Sequence, residues 1–519
     1  MNLKLKITFS VVLIINIFLI IYYQAFIYKA FFNSDAAIAN ILAQEIFDKG
    51  SYYPKSWWYV NGDIWTLFKH TLVIPFSLLG FEAYNVHTLT VLSFFSFSLF
   101  ITYLYLKKIG VDTAGTLIAL IGVSTLYSPM YAREVFGESA YIWYYTALIS
   151  YLYLFFIISK EEIKTKRKWI VKFLLVLLTI FFVAENPSRF AIYFIAALFL
   201  PLFIFYKYIN IKYKKIILYF SIGIILGIIY RYTVIGNILM HSGAEKAYLI
   251  SFEDLPTHIW RSIVGVINFY GADWGEKTPF VSFNGIAYIL KLLLYPIAFF
   301  APIYYAIKNR IALREFEIYT ITVGYTAFFV VFGIYAITSL HNGNIYAAKE
   351  NIRYIIPFAL VISVANGIMW NFFSQKIKLL LIFSIFTAYL SMPNTLQFSL
   401  SQEIIKDREE AIESLIENGL NRGYAPYWHS HIFTVLSDGK VEVRPLENAK
   451  LRKAGRWLTS TSWYDKNYVD KNSFILIPNE KIQEFESSQK ELNLTEATKK
   501  IELRRYNIYI FEQNPLNNN

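Results

Sequence analysis

The feature that most constrains this chain is a series of long apolar runs that are almost free of charge. The first extends from Ile7 to Tyr28, about the twenty residues that a helix needs to cross the hydrocarbon core. Similar runs follow at roughly 83–106, 113–130, 139–158, 169–184, 190–206, 216–235, 285–307, 316–338, 354–371 and 378–393. Each must be helical, because lipid offers no partner for a free backbone N–H or C=O group. The sequence therefore predicts a polytopic α-helical membrane protein with about eleven transmembrane helices.

Composition agrees with this fold class and excludes several kinds of chemistry. Hydrophobic residues make up 56% of the 519 residues and charged residues 17%, against roughly a quarter in soluble domains. The chain has no cysteine, so neither disulfides nor thiol chemistry are expected. It also lacks the glycine-rich G-x-x-x-x-G-K-[ST] motif, so no nucleotide-driven pump is indicated.

Basic residues in alternate loops set the expected orientation. With a cytoplasmic N-terminus, the inner loops carry Lys107 and Lys108, then Lys160–Lys168, Lys207–Lys215, Lys308–Arg314, and Lys376 with Lys378. This satisfies the positive-inside rule. The net charge of +12 thus reflects membrane topology and not nucleic-acid binding. An odd number of spans in the cell's inner (plasma) membrane places the polar tail outside the cytoplasm.

The loop lengths predict two parts. Residues 1–393 form a transmembrane module whose long outer loops lie at about 29–69 and 236–283, and residues 394–519 form an extracytoplasmic α/β domain. Helical periodicity is expected at Glu403–Leu420 and Glu480–Gln489, and strands at Val441–Arg444, Phe474–Pro478 and Ile501–Phe511. The segment 424–437 is dense in aromatic residues and predicts a packed core without catalytic groups.

The first outer loop carries two acids of interest. Ser34 is a good helix N-cap, and apolar residues then recur at helical spacing, which predicts an amphipathic helix along the membrane surface. Asp35 lies just where the first helix leaves the lipid, in the first turn of this surface helix. Asp63 follows in the same loop.

These features resemble the GT-C glycosyltransferases, above all the protein O-mannosyltransferases and the lipid A aminoarabinose transferase. The resemblance rests on a spanning first helix, an Asp just past its outer end, and a long first outer loop. A second similarity is Asn351-Ile-Arg-Tyr-Ile-Ile-Pro357, which opens a late helix. Asp35 is followed by Ala36 where the O-mannosyltransferases have Glu, which argues against a protein acceptor.

The resemblance implies an inverting transfer of one sugar from a polyprenyl-phosphate carrier. A carboxylate must take the proton of the acceptor hydroxyl, and Asp35 suits that role. A cation or metal must stabilise the phosphate leaving group. The alternative for Asp35 is an ordinary acid that favours the helix dipole.

Arg189 and Arg353 are the candidates for binding the donor phosphate. The planar guanidinium suits phosphate oxygens, and both arginines lie at predicted outer helix ends. The alternative is interfacial arginines that reach lipid headgroups. Lys349 and Glu350, just before Arg353, are expected to belong to the same cluster.

Glu134 and Glu138 are spaced so that both lie on one face if the segment is helical. Acids in this region help to hold a divalent metal in some GT-C enzymes. The favoured alternative is a solvated charged turn, so a divalent metal is left open, with carboxylates for a hard cation and histidines for zinc.

Two other functional classes remain as alternatives. Another lipid-carrier enzyme, such as a glycan polymerase or ligase, usually relies on a large late outer loop rich in Arg and His. A lipid or glycolipid transporter is expected to carry charges deep within its helices, whereas here they cluster at helix ends. The expected partners are membrane lipid and a lipid-linked sugar donor. The sequence does not fix the sugar, the acceptor, the carrier length or the oligomeric state.

Overall fold

The structure is a computed structural model and describes ten stretches of the chain: 3–159, 165–205, 213–241, 248–272, 279–341, 345–447, 454–465, 468, 472–491 and 497–516. The predicted basic loops Lys160–Lys168 and Lys207–Lys215 lie largely outside these residues, as do parts of the outer loop 236–283.

The chain divides into two compact units. The helical unit comprises Met1–Gln24, Leu92–Tyr230 and Lys246–Gln397. The mixed unit comprises Ala25–Val91, Arg231–Glu245 and Phe398–Asn519. The first outer loop and the tail therefore belong to one unit, although they are more than three hundred residues apart in sequence.

Nine of the eleven predicted membrane runs each fall on one helix, and the other two, 113–130 and 378–393, are broken by bends. Among the described residues, eight helices are long and apolar enough to cross a membrane: Leu3–Phe31, Ala83–Ile109, Ala140–Ser159, Pro187–Ile204, Tyr213–Ile235, Phe283–Lys308, Glu315–Ile337 and Ala347–Met369. Two bent pairs raise this number to ten, Thr113–Ser124 with Pro129–Glu138 and Gln375–Leu390 with Met392–Glu417. The predicted run at 169–184 lies in the helix Thr165–Glu185, which has 21 residues but carries Lys172. The polytopic helical fold class is confirmed.

Small residues allow close helix packing in the helical unit. Gly223 and Gly227 of the helix Tyr213–Tyr230 face the helix Thr165–Glu185, where added Cβ atoms would lie 2.5 Å from Thr179 Cβ and 2.7 Å from Val183 Cβ. This is the G-x-x-x-G spacing that lets two membrane helices approach closely. Because lipid is as apolar as leucine, such packing replaces the hydrophobic effect as the main source of helix association.

The mixed unit contains a five-stranded sheet, which confirms the predicted α/β tail. Its strand order is Glu442–Leu446, Arg422–Pro426, Ser473–Pro478, Tyr506–Phe511 and Lys499–Glu502. The first three strands are parallel, and the last two each pair antiparallel with their neighbour. The predicted single strand at Ile501–Phe511 is two strands, because Leu503 N–H bonds to Tyr506 O in a tight turn. The helices are Phe398–Glu417, His431–Leu436 and Ile482–Glu491.

A second, three-stranded sheet joins distant parts of the chain within the mixed unit. Trp57–Val60 of the first loop pairs in parallel with Leu239–His241 and antiparallel with Thr459–Ser460 of the tail. The carboxylate of Glu45 accepts the hydroxyls of Ser56 at 2.8 Å and Ser460 at 2.6 Å. These bonds link the first loop to the tail.

The first-loop helix differs from the prediction in two respects. It spans Ser34–Lys49, and its N-cap is Asn33, whose side chain accepts from Ala36 N–H at 2.8 Å. The predicted cap, Ser34, is already helical, so its hydroxyl is available for another partner. The helix does not lie open along a surface, because 11 of its 16 residues are buried. It packs against His70–Leu78 and His431–Leu436 inside the mixed unit.

Candidate functional site

Asp35 is held at the start of the first-loop helix by a residue from the tail. Tyr427 O–H donates to Asp35 Oδ1 at 2.5 Å. Asp35 is half-buried, and its position in the first helical turn places its negative charge where the helix dipole favours it. A neutral donor on one oxygen orients the carboxylate without adding a formal charge beside it.

Tyr427 is itself fixed by the same helix. Ser34 Oγ donates to the backbone oxygen of Tyr427 at 2.5 Å, and Ser430 Oγ donates to it at 2.9 Å. Tyr427 is only 6% exposed and begins the short 3₁₀ turn Tyr427–His429. Two neighbouring residues of the first-loop helix, Ser34 and Asp35, therefore bind the main chain and the side chain of one tyrosine.

The sequence prediction missed Tyr427. Its segment, 424–437, reads Tyr-Ala-Pro-Tyr-Trp-His-Ser-His and continues into an apolar helix, which predicted only a packed core. The available signal was the density of aromatic and polar groups in a tail segment without repeats. No periodicity in the sequence links a tyrosine at position 427 to an acid at position 35.

The helical unit contains a separate charged cluster around Glu134. The helix Thr113–Ser124 ends, and the chain bends by 93° into Pro129–Glu138, whose first turn is capped by Ser128. Ala132–Glu138 is a π-helix and ends at Ser139, a non-glycine residue with a left-handed φ of 54°. This irregular backbone carries two acids into the interior. Glu134 is 1% exposed and Glu138 is 7% exposed, so the expected solvated turn is wrong.

Two arginines neutralise Glu134. Arg133 donates from Nη2 and Nε to Glu134 Oε1 at 3.1 and 3.2 Å. Arg353 Nη1 lies 3.9 Å from Glu134 Oε2. Burying a carboxylate is costly unless it is paired, and this pairing accounts for an acid in the interior.

Arg353 is less tightly held than Arg133. It lies in the 3₁₀ turn Ile352–Ile355, and 27% of its side chain is exposed. Among the described residues its Nε has no hydrogen-bond partner. Its separation from Glu134 is at the long end of an ion pair, so a ligand with anionic oxygens would offer better-placed acceptors.

Arg189 approaches the same cluster through a tyrosine. The backbone N–H of Arg189 donates to Asn186 Oδ1 at 3.0 Å, and this bond caps the turn Pro187–Phe190. Arg189 and Arg353 both interact electrostatically with the Tyr141 phenol. The structure thus pairs Arg353 with Glu134 in the helical unit, with Glu138 close enough to affect Glu134 and Arg189 close enough to affect Tyr141.

The predicted supporting residues occupy different places. Glu350 is exposed and interacts electrostatically with Arg133, while Lys349 is half-buried in the short helix Ile345–Asn351. Asp63 belongs to the mixed unit, in the turn after the strand Trp57–Val60, where it is 7% exposed. It interacts electrostatically with Arg231, which also donates to Gly62 O at 3.1 Å. Asp63 therefore stabilises this turn.

The acids do not form a metal site by geometry alone. Within the stretches of chain that the structure describes, no three His, Asp or Glu side chains come close enough together to hold one ion. Glu134 is already bound by its two arginines. The residues present therefore fit binding of an anion by arginine better than binding of a cation by carboxylates.

No protein-family model matches the chain, and no curated protein matches it. Solved structures do match its fold. ArnT from Cupriavidus metallidurans, bound to undecaprenyl phosphate, superposes with a TM-score of 0.58 at 9% identity, and the match covers 97% of each chain. The oligosaccharyltransferase of Archaeoglobus fulgidus, in complex with Zn and sulfate, has a TM-score of 0.48 at 13% identity and is matched over 91% of this chain and 68% of its own.

At 9% identity the likeness to ArnT is one of fold, and it extends over almost the whole chain. The chain is a multi-pass helical protein, as the sequence predicted, and it shares its fold with ArnT. ArnT is a lipid A aminoarabinose transferase of the GT-C family. The predicted resemblance to that class of fold is confirmed.

Proposed function

We propose that the protein is an inverting glycosyltransferase that moves one hexose or pentose from a polyprenyl-phosphate carrier to an acceptor at the outer face of the cytoplasmic membrane. The acceptor is a cell-envelope glycan, lipid or protein. The observation that carries the proposal is the orientation of Asp35 by Tyr427 in a chain with the fold of ArnT. The undecaprenyl phosphate bound to ArnT supports a polyprenyl-phosphate donor.

Asp35 acts as the general base. An acceptor hydroxyl attacks the anomeric carbon of the donor sugar, and Asp35 takes the hydroxyl proton as the new C–O bond forms. Tyr427 O–H donates to Oδ1 and so fixes the orientation of the carboxylate that takes the proton. A carboxylate that is held in place accelerates the reaction more than a mobile one, because the geometry of proton transfer is set before the reaction starts.

Arg353 and Arg189 stabilise the leaving group. The bond between the anomeric carbon and the phosphate oxygen breaks, and its electron pair goes to the polyprenyl phosphate. Arginine remains charged throughout and presents several N–H donors to phosphate oxygens. Arg353 suits this role because its Nε has no partner among the described residues and its pairing with Glu134 is long.

Glu134 and Glu138 hold the arginines in place before the donor arrives. Arg133 and Arg353, both half-buried, would repel each other without nearby acids and would have unpaired charges in a medium of low dielectric constant. The acids therefore keep the cluster folded, and a phosphate takes over part of their role when it binds. Lys349 and Glu350 support the same region at its margin.

The orientation proposed for the chain follows from the basic loops. A cytoplasmic N-terminus places the first long outer loop and the tail outside the cytoplasm, in the inner (plasma) membrane. The lipid-linked donor enters from the membrane, and residues 394–519 form the extracytoplasmic part.

A transfer assay tests the proposal. Purified protein in nanodiscs is given a panel of polyprenyl-phosphate sugars with radiolabelled hexose or pentose, and an extract of envelope glycans and lipids from cells that lack the gene. We expect label to move from one donor to an acceptor with inverted anomeric configuration, and chelator treatment reports any need for metal. The proposal would be ruled out if no donor in the panel gave transfer, either with the protein alone or with added metal.

A further inference from the structure

The mixed unit contains a cavity beside the first-loop helix. Its volume is about 320 Å³, within the range of small-molecule sites. The lining comes from the helix Ser34–Lys49, the end of the helix His70–Leu78, the turn after His431–Leu436, and the strand Glu442–Leu446. All of these segments belong to the same unit.

The cavity follows the helix that Asp35 begins. Asn40, Gln44 and Asp48 line it at intervals of four residues, so they share one helix face. With a rise of about 1.5 Å per residue, Asn40 lies about 8 Å along the axis from Asp35, and Asp48 lies about 20 Å along it. A ligand in the cavity therefore extends away from the proposed base along the same helix.

The lining is acidic. Four carboxylates, Glu45, Asp48, Asp438 and Glu442, contribute to it, together with one basic group, Arg444. A site with this excess of negative charge repels phosphate and carboxylate groups. The ligand that fits is neutral or cationic.

The carboxylates retain capacity to accept further hydrogen bonds. Asp48 Oδ1 accepts from Gln44 Nε2 at 2.8 Å, and Asp438 Oδ1 accepts from Ala83 N–H at 2.8 Å. Both acids are exposed at the rim, and their hydrogen bonds within the described part of the chain use one oxygen each. Such rim carboxylates are suited to hydroxyl donors.

Two buried residues of the lining each keep an unsatisfied polar atom. Asn40 is 9% exposed and Arg444 is 6% exposed. Asn40 Oδ1 and Arg444 Nη1 have no hydrogen-bond partner among the residues that the structure describes. Leaving a buried polar group unpaired is costly, so this acceptor and this donor are groups that a bound ligand would satisfy.

A metal ion does not explain these features. The acids are spread around the cavity, and no three of the described His, Asp or Glu side chains come close enough to share an ion. A ligand with several hydroxyl groups distributed over its surface, each able to donate and accept, matches this spread better than one ion does.

From these observations we propose that the cavity binds an uncharged sugar residue of the acceptor. The inference rests on the proposed glycosyltransferase function, and it adds the acceptor's chemical class. The sugar hydroxyls donate to Asp48 and Asp438 and accept from Arg444. The sugar held there is one unit removed from the hydroxyl that Asp35 deprotonates.

Binding is measured on the full chain in nanodiscs without any donor, by saturation-transfer difference NMR. The neutral probes are glucose, galactose, mannose and the N-acetylglucosamine disaccharide; the others are glucose 6-phosphate and a lysine-rich pentapeptide. We expect at least one neutral sugar to bind and glucose 6-phosphate not to bind. Binding of the pentapeptide alone, of the phosphate alone, or of no probe at millimolar concentration would overturn the proposal.

A matched pair of variants locates the site. Ser77 is exposed and lines the cavity, whereas Ser487 is exposed on the helix Ile482–Glu491, outside it. Ser77→Trp is expected to fill the cavity and weaken neutral-sugar binding at least tenfold, and Ser487→Trp to leave it unchanged. Equal binding by both variants would place the sugar elsewhere.

The test is independent of catalysis. Asp35→Asn is expected to bind the neutral sugar as the wild type does, because Asp35 does not line the cavity. If wild-type protein transfers no sugar but Ser77→Trp still abolishes binding, the proposed function fails and the binding site remains. If transfer is observed but Ser77→Trp binds normally, the site fails and the function remains.

Discussion

The two candidate clusters hold their acids in opposite ways. In the mixed unit, Asp35 is half-buried and is bound by the neutral phenol of Tyr427. In the helical unit, Glu134 is almost fully buried and is paired with Arg133 and Arg353. Asp35 accepts a hydrogen bond from a neutral donor, and Glu134 is paired with two arginines.

The difference indicates different tasks. A general base must take up a proton and lose it again in every cycle, which a cation beside it would oppose. A phosphate-binding cluster must keep its positive charge, and arginine does so at any physiological pH. This comparison supports our proposal that Asp35 transfers the proton and that the acids of the helical unit support the arginines.

The largest expected effect is that of Asp35→Asn. Loss of a general base lowers the rate by about 10²–10⁴-fold, so kcat should fall by that factor while expression and membrane insertion stay normal. Asp254→Asn is the matched control, because Asp254 is an exposed acid at the start of the helix Leu255–Phe269. Equal activity losses in the two variants would mean that Asp35 is an ordinary acid at a helix N-terminus and not the general base.

Arg353→Ala is the next largest change. Removal of one group that stabilises a developing anion lowers kcat by about 10²–10³-fold, and Arg353→Lys should recover part of it because the charge remains but the planar fork does not. Arg310→Ala, at an exposed site in the same unit, is the control. Steady-state rates with a saturating donor measure the effect. A normal rate for Arg353→Ala would remove this residue from the phosphate site.

Tyr427→Phe tests the orientation of Asp35. It removes one O–H donor to a carboxylate and keeps the ring, so we expect kcat to fall by about 10- to 100-fold with little change in KM, because a hydrogen bond to a charged group contributes about 1.5–3 kcal/mol. Tyr509→Phe is the control, because Tyr509 O–H bonds to Glu486 in the same unit at 2.9 Å. If both variants transfer sugar at the wild-type rate, Tyr427 does not position the base.

The smallest effect concerns the pH dependence of stability. Burial lowers the pKa of His70 and of His431 to about 3 and that of His429 to about 4, with Glu480 partly opposing the shift of His429. These histidines are neutral in the folded mixed unit but take up protons when it unfolds near their ordinary pKa of about 6.5. Stability is therefore complete above that pH and is lost as pH falls toward the lowered values, by up to about 1.4 kcal/mol per pH unit for each histidine.

Thermal unfolding of the full chain, followed by tryptophan fluorescence between pH 7 and pH 5, measures this loss. His431→Phe keeps an aromatic ring in the buried position and removes one titrating group, so its melting temperature should fall less steeply with pH than that of the wild type. An unchanged slope would mean that His431 is not neutral and buried in the folded state.

The sequence predicted the helical architecture well because lipid requires apolar side chains and internal backbone hydrogen bonds along the whole of a spanning segment. Apolar runs long enough to cross lipid must be helical, and nine of the eleven predicted runs each correspond to one helix, whereas 113–130 and 378–393 are each broken by a bend. Local pattern also located the strands near Val441–Arg444 and Phe474–Pro478, but it missed Arg422–Pro426 and took two strands for one at Ile501–Phe511. Arg189 and Arg353 were chosen because both lie at predicted outer helix ends, and their role in binding phosphate stays a prediction.

Contacts between distant parts of the chain could not be predicted. The N-cap moved from Ser34 to Asn33 because Ser34 instead binds Tyr427, which is almost four hundred residues away. Glu134 and Glu138 looked like a solvated turn, since nothing local showed that Arg353 would reach Glu134 from a late helix. The π-helical backbone of Ala132–Glu138 has no sequence signature that distinguishes it from an exposed turn.

Chemical rescue of Asp35→Ala tests most directly whether this residue is the base. Formate is a small carboxylate that can occupy the space left by the side chain and accept the hydroxyl proton. The account predicts that sodium formate raises the transfer rate of Asp35→Ala in a dose-dependent manner, with inverted anomeric configuration in the product, and that it leaves Asp254→Ala unchanged. A rate for Asp35→Ala that equals the wild-type rate without formate would contradict it.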